Sequence, residues 1–188
     1  DDGLQDNSIN YDLKIVCFNN TNWIGNGFTI PSGPLRENVK NIKKYKNVFL
    51  NGNDEDLDEI KNFISKIDAN INIYQGKYIP KNIDEFNTND KFIVFSGIGN
   101  HKTFVSMLKN NKLNIVKDIE FPDHYSYSKN DINEIISISN KLDCGIITTE
   151  KDYLRLKEDD LNKIKYIKVD LEILNEKKFL KDISELYE

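Results

Sequence analysis

Three times in its second half the chain runs a short apolar segment into a polar loop and then into a helix. Lys91–Ser96 (KFIVFS) leads to Gly97-Ile98-Gly99-Asn100 and a helix over about 101–110. Asn114–Phe121 leads to Pro122-Asp123-His124-Tyr125 and a helix over 130–142. Gly145–Thr148 leads to Thr149-Glu150-Lys151-Asp152 and a short helix. The apolar runs are too short for helices and lie between turn residues. Strands and helices in alternation predict an α/β fold with a largely parallel sheet and flanking helices. In such sheets the ligand site lies beyond the carboxyl ends of the strands. All three polar loops fall there and should converge on one edge.

The remaining segments extend this pattern. Tyr11–Phe18 reads as a buried strand, followed by an Asn- and Gly-rich loop over 19–33. Lys46–Leu50 is a second short strand closed by Asn51-Gly52. Leu57, Ile60, Phe63, Ile64 and Ile67 recur at helical spacing, predicting a helix over 53–66. The acids of its first turn, Asp54 to Glu59, lack calcium-loop spacing and suit a helix N-terminus. Residues 70–78 alternate as a strand, and 82–90 form a polar linker. Ser128 and Asp131 spell a capping box for the helix over 130–142. A strand over 166–169 and a helix over 175–187 close the chain.

A chain of 188 residues can build one domain with a real core, or one small domain plus part of another. No run reaches the ~18 apolar residues of a membrane span. The net charge of −5 argues against a generally basic nucleic-acid-binding domain, leaving room for a local basic patch. Cys17 and Cys144 each sit in an apolar run and are expected to be buried free thiols. No Cys/His spacing suits zinc. The only methionine is Met107, so Asp1 is not an untreated translation start and the chain is expected to be processed or a fragment.

Several motifs carry chemistry. Asp1-Asp2-Gly3-Leu4-Gln5 offers adjacent acids of the kind that hold Mg²⁺ in phosphoryl transfer, or a frayed acidic terminus. Gly25-Asn26-Gly27-Phe28 and Pro31 to Glu37 form one long Gly/Pro-rich loop, a class that is usually functional or disordered. Within it, Arg36 is one of two arginines and presents a fork suited to phosphate. Lys40, Lys43, Lys44 and Lys46 follow, either a solvated helix face or a meeting surface for an anionic substrate or lipid headgroups. Gly97 to Asn100, with Gly99 at its centre, suits close backbone approach and anion binding at a helix start, or a tight turn demanded by packing. His124 can act as a general base or orient one, and the same residue could be a surface histidine. His101 begins a helix and reads as structural. Thr149, Glu150, Lys151 and Asp152 offer helix capping or contact with a nucleotide. A phosphate loop, a nucleophile elbow and a zinc helix are absent from these residues.

Taken in order, DDGLQ, NGFTIPSGPLRE, a strand ending in Asn-Gly, FSGIGN, FPDHY and TTEKD resemble the tetraacyldisaccharide 4′-kinase (lipid A 4′-kinase) family from Asp1 to about Leu156. Ser32 stands where that family has Ala, and His101 where it has Pro. The resemblance implies ATP-dependent phosphorylation of the 4′-hydroxyl of a lipid A disaccharide 1-phosphate with Mg²⁺. It implies a P-loop NTPase-like domain joined to a smaller C-terminal α/β domain. On that basis residues 1–52 are expected to be the end of the first domain and 53–188 the second. It also implies a peripheral place on the cytoplasmic face of the inner membrane and no nucleic-acid partner. By the same resemblance Asp1 and Asp2 hold the metal, with Asp2 also at the catalytic centre. His124 supports a catalytic aspartate from an upstream segment. Arg36, Gln5, Asn26, Gly99 and Asn100 contact substrate or phosphate, and Thr149 to Asp152 line the nucleotide side. The phosphate loop and that aspartate would precede Asp1, so the chain alone is expected to be inactive. Two rival readings are a non-catalytic module that binds glycolipid phosphate and an unrelated α/β nucleotide-binding enzyme.

Overall fold

The computed structural model describes residues 3–6, 8–53, 56–157 and 162–185. In chain order the strands are β1 (Val16–Asn19), β2 (Asn47–Asn51), β3 (Asn72–Pro80), β4 (Lys91–Ser96), β5 (Asn114–Glu120), β6 (Gly145–Thr149), β7 (Ile164–Ile167) and β8 (Val169–Leu174). The helices are α1 (Ile42–Tyr45), α2 (Asp58–Ile67), α3 (His101–Asn110), α4 (Lys129–Leu142), α5 (Glu150–Tyr153) and α6 (Glu176–Ser184). They form two compact units. One runs to Tyr78 and resumes at Leu171, and the other is Ile79–Asp170.

The first unit is built on a sheet of order β1-β2-β3-β8, in which β1 pairs with β2 and β2 with β3 in parallel. β2 alternates its side chains between the two faces, as a pleated strand must. Val48 and Leu50 pack with Leu57 and Ile64 around α2, together with Ile42 and Ile71. Phe49 points the other way and meets Phe179 of α6 edge-on. Phe179 also lies against the Tyr74 ring, and the Tyr74 hydroxyl donates to Asp182 at 2.6 Å.

The second unit carries the sheet β5-β4-β6-β7, with every described pair parallel. Phe92 to Ser96 of the central strand are all buried. That explains why this strand reads as an unbroken apolar run rather than an alternating one. Ile93 and Phe95 form one core with Ile132 and Ile135 of α4, Ile146 and Ile164. A capping box holds the start of α4: Asp131 N–H donates to Ser128 Oγ, and Ser128 N–H donates to Asp131 Oδ2 at 2.8 Å.

The α/β architecture and largely parallel sheets agree with the sequence. Details differ. The first strand starts at Val16, not Tyr11, and the first long helix starts at Asp58. Residues 56–78 pack in the first unit, where β3 pairs with β2 and α2 covers Val48 and Leu50. The expected strand over 166–169 is two strands, β7 and β8, separated at Lys168. Cys17 is exposed, not buried, because it lies on the edge strand β1; Cys144 is half-buried.

Candidate functional site

In the second unit, β4, β5 and β6 are parallel, so the loops that follow them emerge on one edge. Those loops are Gly97–Asn100, Phe121–Tyr125 and the turn into α5. Asp152 holds them together. Its carboxylate is fully buried, and Oδ2 accepts from the Thr149 hydroxyl at 2.7 Å and from the Gly97 N–H at 3.1 Å. Oδ1 faces Arg155 Nη1 at 3.3 Å. A buried carboxylate is tolerated only when paired and hydrogen-bonded, and these partners meet that condition. Thr149 also caps α5 by accepting from Asp152 N–H at 3.1 Å.

Gly97 is the hinge pin of the edge. Its N–H goes to Asp152, and its carbonyl accepts from His124 N–H at 3.1 Å and from Arg155 Nη1 at 3.4 Å. A Cβ there would meet Tyr127 Oη at 3.0 Å and the Pro122 carbonyl at 3.1 Å, so any larger residue would have to push these neighbours back by a few tenths of an ångström. The Tyr127 hydroxyl is buried beside Asp152 without a hydrogen bond of ordinary geometry. Burial and the Asp152 charge push its ionisation up.

His124 stands over this scaffold. Its backbone adopts a left-handed φ of 59°, uncommon for a non-glycine residue. Its side chain is 70% exposed. Asp123 Oδ2 lies 3.8 Å from Nε2, and Arg155 Nη2 lies 3.1 Å from Nδ1. Gly99 borders the same edge, since a Cβ on it would sit 3.5 Å from Asp123 Oδ2. Asn100 occupies the N-cap of α3 without a side-chain capping bond. Glu150 and Lys151 are exposed on α5.

A second histidine begins α3. His101 is buried, with Nδ1 2.7 Å from Ser96 Oγ and Nε2 3.3 Å from Asp118 Oδ2. The carboxylate can only accept, so a proton on Nε2 faces Asp118, and in the neutral ring the Ser96 hydroxyl then donates to Nδ1. This serine is fully buried, so the Ser–His–Asp sequence cannot present a nucleophile. It anchors the start of α3.

The first unit holds a separate constellation. A cavity of about 520 Å³ is lined by Gln5, Asn19, Trp23, Arg36, Glu37 and Tyr45 among others. Glu37 gathers several of the hydrogen bonds in its wall. It accepts from Gln5 Nε2 at 2.8 Å, Asn41 Nδ2 at 2.9 Å and Tyr45 Oη at 2.9 Å. The hydrogen bonds from Gln5 and Asn41 hold its carboxyl below the usual range, against the opposing effect of burial. Asn26 is occupied inside its own loop, donating to the Ser32 carbonyl at 2.8 Å and accepting from Phe28 N–H at 3.1 Å. Asp1 and Asp2 lie outside the described residues. Among the described residues no three His, Cys, Asp or Glu side chains cluster as a metal site.

The structure therefore gathers His124, Gly99, Asn100, Thr149 and Asp152 on one edge, and Gln5 and Arg36 around one cavity. Two residues that the sequence did not single out complete these groups. Arg155 follows TTEKD by one turn of helix, and Glu37 follows Arg36. The available signal was that Glu37 closes the GPLRE motif and that Arg155 lies three residues after TTEKD.

Comparison with known proteins bears on what such edges serve. The profile of the family described as tetraacyldisaccharide-1-P 4′-kinase matches residues 1–188. The chain belongs to that family. A tetraacyldisaccharide 4′-kinase of Pelagibacter ubique (strain HTCC1062) is 62% identical over 188 residues, covering 100% of this chain and 60% of that protein. One from Rickettsia typhi is 35% identical over 189 residues, covering 96% and 56%. The crystal structure of LpxK from Aquifex aeolicus in complex with ATP superposes with a TM-score of 0.61 at 22% identity, over 100% of this chain and 56% of that one. That likeness shows the fold. The chain thus spans little more than half the length of the tetraacyldisaccharide 4′-kinases it matches.

Proposed function

We propose that this chain forms the acceptor-side and base-supporting part of an ATP-dependent kinase that phosphorylates the 4′-hydroxyl of a lipid A disaccharide 1-phosphate. The observation that carries the reading is the convergence of the GIGN, FPDHY and TTEKD loops around His124, in a chain matched by this kinase family along its whole length. Phosphoryl transfer asks a protein mainly for positioning and charge stabilisation. His124, exposed on a rigid edge, would orient the catalytic carboxylate that takes the proton of the sugar hydroxyl. Arg36, with Gln5 beside Glu37, would meet phosphate in the first unit's cavity. Gly99 and Asn100 would offer backbone to substrate, and Thr149 and Asp152 would hold that edge in shape, with Glu150 and Lys151 reaching toward nucleotide. Asn26 would act by shaping its loop.

Mg²⁺ takes hard oxygen ligands and is bound by one or two carboxylates plus substrate phosphates. Asp1 and Asp2 have that chemistry, and the chain leads from them directly into Gly3–Gln5 at the cavity, beside the Glu37 carboxylate. The ion would neutralise charge on the transferring phosphate. No described helix is long and apolar enough to cross a membrane. We place the protein peripherally on the cytoplasmic face of the inner membrane. Phe28 and Ile30, 63% and 59% exposed on the loop before Arg36, give that surface apolar contacts for an acylated substrate. No nucleic-acid partner is proposed.

The test is His124→Ala in the complete gene product, assayed for transfer of phosphate from ATP. The expected result is a fall in kcat of about 100-fold or more, in the range of acid–base assistance, with little change in the KM for ATP. An unchanged kcat would remove His124 from the mechanism.

A further inference from the structure

We propose that Arg155 is a positioning residue that fixes the ring orientation and tautomer of His124. This rests on the reading of His124 as the base-supporting group. Arg155 is 26% exposed, and its guanidinium bridges from the interior to the site. Nη1 faces the fully buried Asp152 Oδ1 at 3.3 Å and the Gly97 carbonyl at 3.4 Å, while Nη2 lies 3.1 Å from His124 Nδ1. A guanidinium has donors and no acceptor, and it keeps its proton throughout the accessible pH range. Nδ1 must therefore be the unprotonated nitrogen of a neutral His124, and the proton sits on Nε2. The ring then carries its N–H on the side away from the guanidinium, where Asp123 Oδ2 lies 3.8 Å from Nε2, and this is the form that donates to a carboxylate. Without Arg155 only the more distant Asp123 carboxylate would bias the exposed ring, which could then flip and carry its proton on either nitrogen. The rigid part of the device is Asp152, whose two oxygens tie Thr149, Gly97 and Arg155 into one buried cluster. A lysine cannot reproduce it, because one ammonium cannot reach the carboxylate, the carbonyl and the imidazole in a planar fork.

Long-range ¹H–¹⁵N correlation of the imidazole nitrogens in the complete gene product tests the tautomer, with His124→Ala supplying the assignment. The expected result is His124 protonated at Nε2 alone, with Arg155→Ala introducing the other tautomer. In the complete gene product, Arg155→Ala should lower kcat about 10- to 100-fold, as losses of orienting partners do, and leave the KM for ATP within about twofold. Added guanidinium should restore part of the lost rate, which a merely structural defect would not allow. Arg155→Lys keeps the charge beside Asp152, guards against a folding failure, and should fall between the two. A wild-type His124 protonated at Nδ1, or an Arg155→Ala enzyme with undiminished kcat, would overturn the proposal. If the tautomer is as expected but His124→Ala leaves kcat unchanged, the kinase role of His124 fails while the Arg155 geometry stands.

Discussion

A carboxylate can serve a fold in two ways, and Asp152 and Glu37 show both. Asp152 is sealed off, so its charge is balanced by fixed partners and its contribution is geometric. Glu37 lines an open cavity and is ringed by neutral donors, which stabilise the ionised form relative to the unfolded chain. A carboxyl held below its ordinary value adds stability above that value, and the contribution disappears as pH falls through the native one. Wild type should therefore exceed Glu37→Gln in urea midpoint at pH 7, and the gap should close as pH falls from about 5 toward 3. A gap that stays constant with pH would show that the donors around Glu37 do not act through its charge. The place of His124 and Gly99 in loops after strands could be read from the sequence, because the apolar runs before them mark where those strands end. Arg155 and the inward turn of Asp152 could not. Nothing in TTEKDYLR distinguishes a buried acid from the exposed Glu150 beside it, since burial is decided by the neighbouring loops.

At the scale of elements, strands and helices were legible wherever apolar spacing was continuous. Lys91–Ser96 and the helix over 101–110 fall where their patterns put them. β8 was not separable from β7, because one residue divides them and most of β8 is exposed, so no change of period marks the break. The cap of α4 was legible and also reaches the site. Tyr125, next to His124, donates from its hydroxyl to Asp131 Oδ2 at 3.3 Å, the oxygen that also accepts from Ser128 Oγ at 2.6 Å. Ser128→Ala should cost about 1 kcal/mol, the usual loss of an N-cap, read as a lowered thermal midpoint. It should also loosen Tyr125, seen as faster amide exchange over 122–127. Loss of stability without faster exchange there would separate the cap from the loop.

Across the whole molecule, the sequence indicated two α/β parts but not that the first is discontinuous. The reason is physical: α6 comes from the end of the chain, and its amphipathic pattern does not name the sheet it covers. Phe179 supplies edge-on contacts to Phe49 and Tyr74, each pair worth about 0.5–1.5 kcal/mol beyond burial. Burial, together with the hydrogen bond that Tyr74 donates to Asp182, pushes the phenol's ionisation up. Each unit has its own core, and the contacts of α6 lie in the first. Deleting residues 171–188 should therefore act unevenly. Amides of β2 and β3 should lose exchange protection, as the face bearing Phe49 and Tyr74 is opened to water. Amides of β4 and β6 should keep theirs, because Ile93, Phe95 and Ile146 retain α4 and Ile164 as partners. Hydrogen exchange read by peptide mass tests this directly. Equal loss of protection in both sheets would mean that the two cores unfold as one cooperative unit, and full protection of β2 would mean that α6 is dispensable to the sheet it covers.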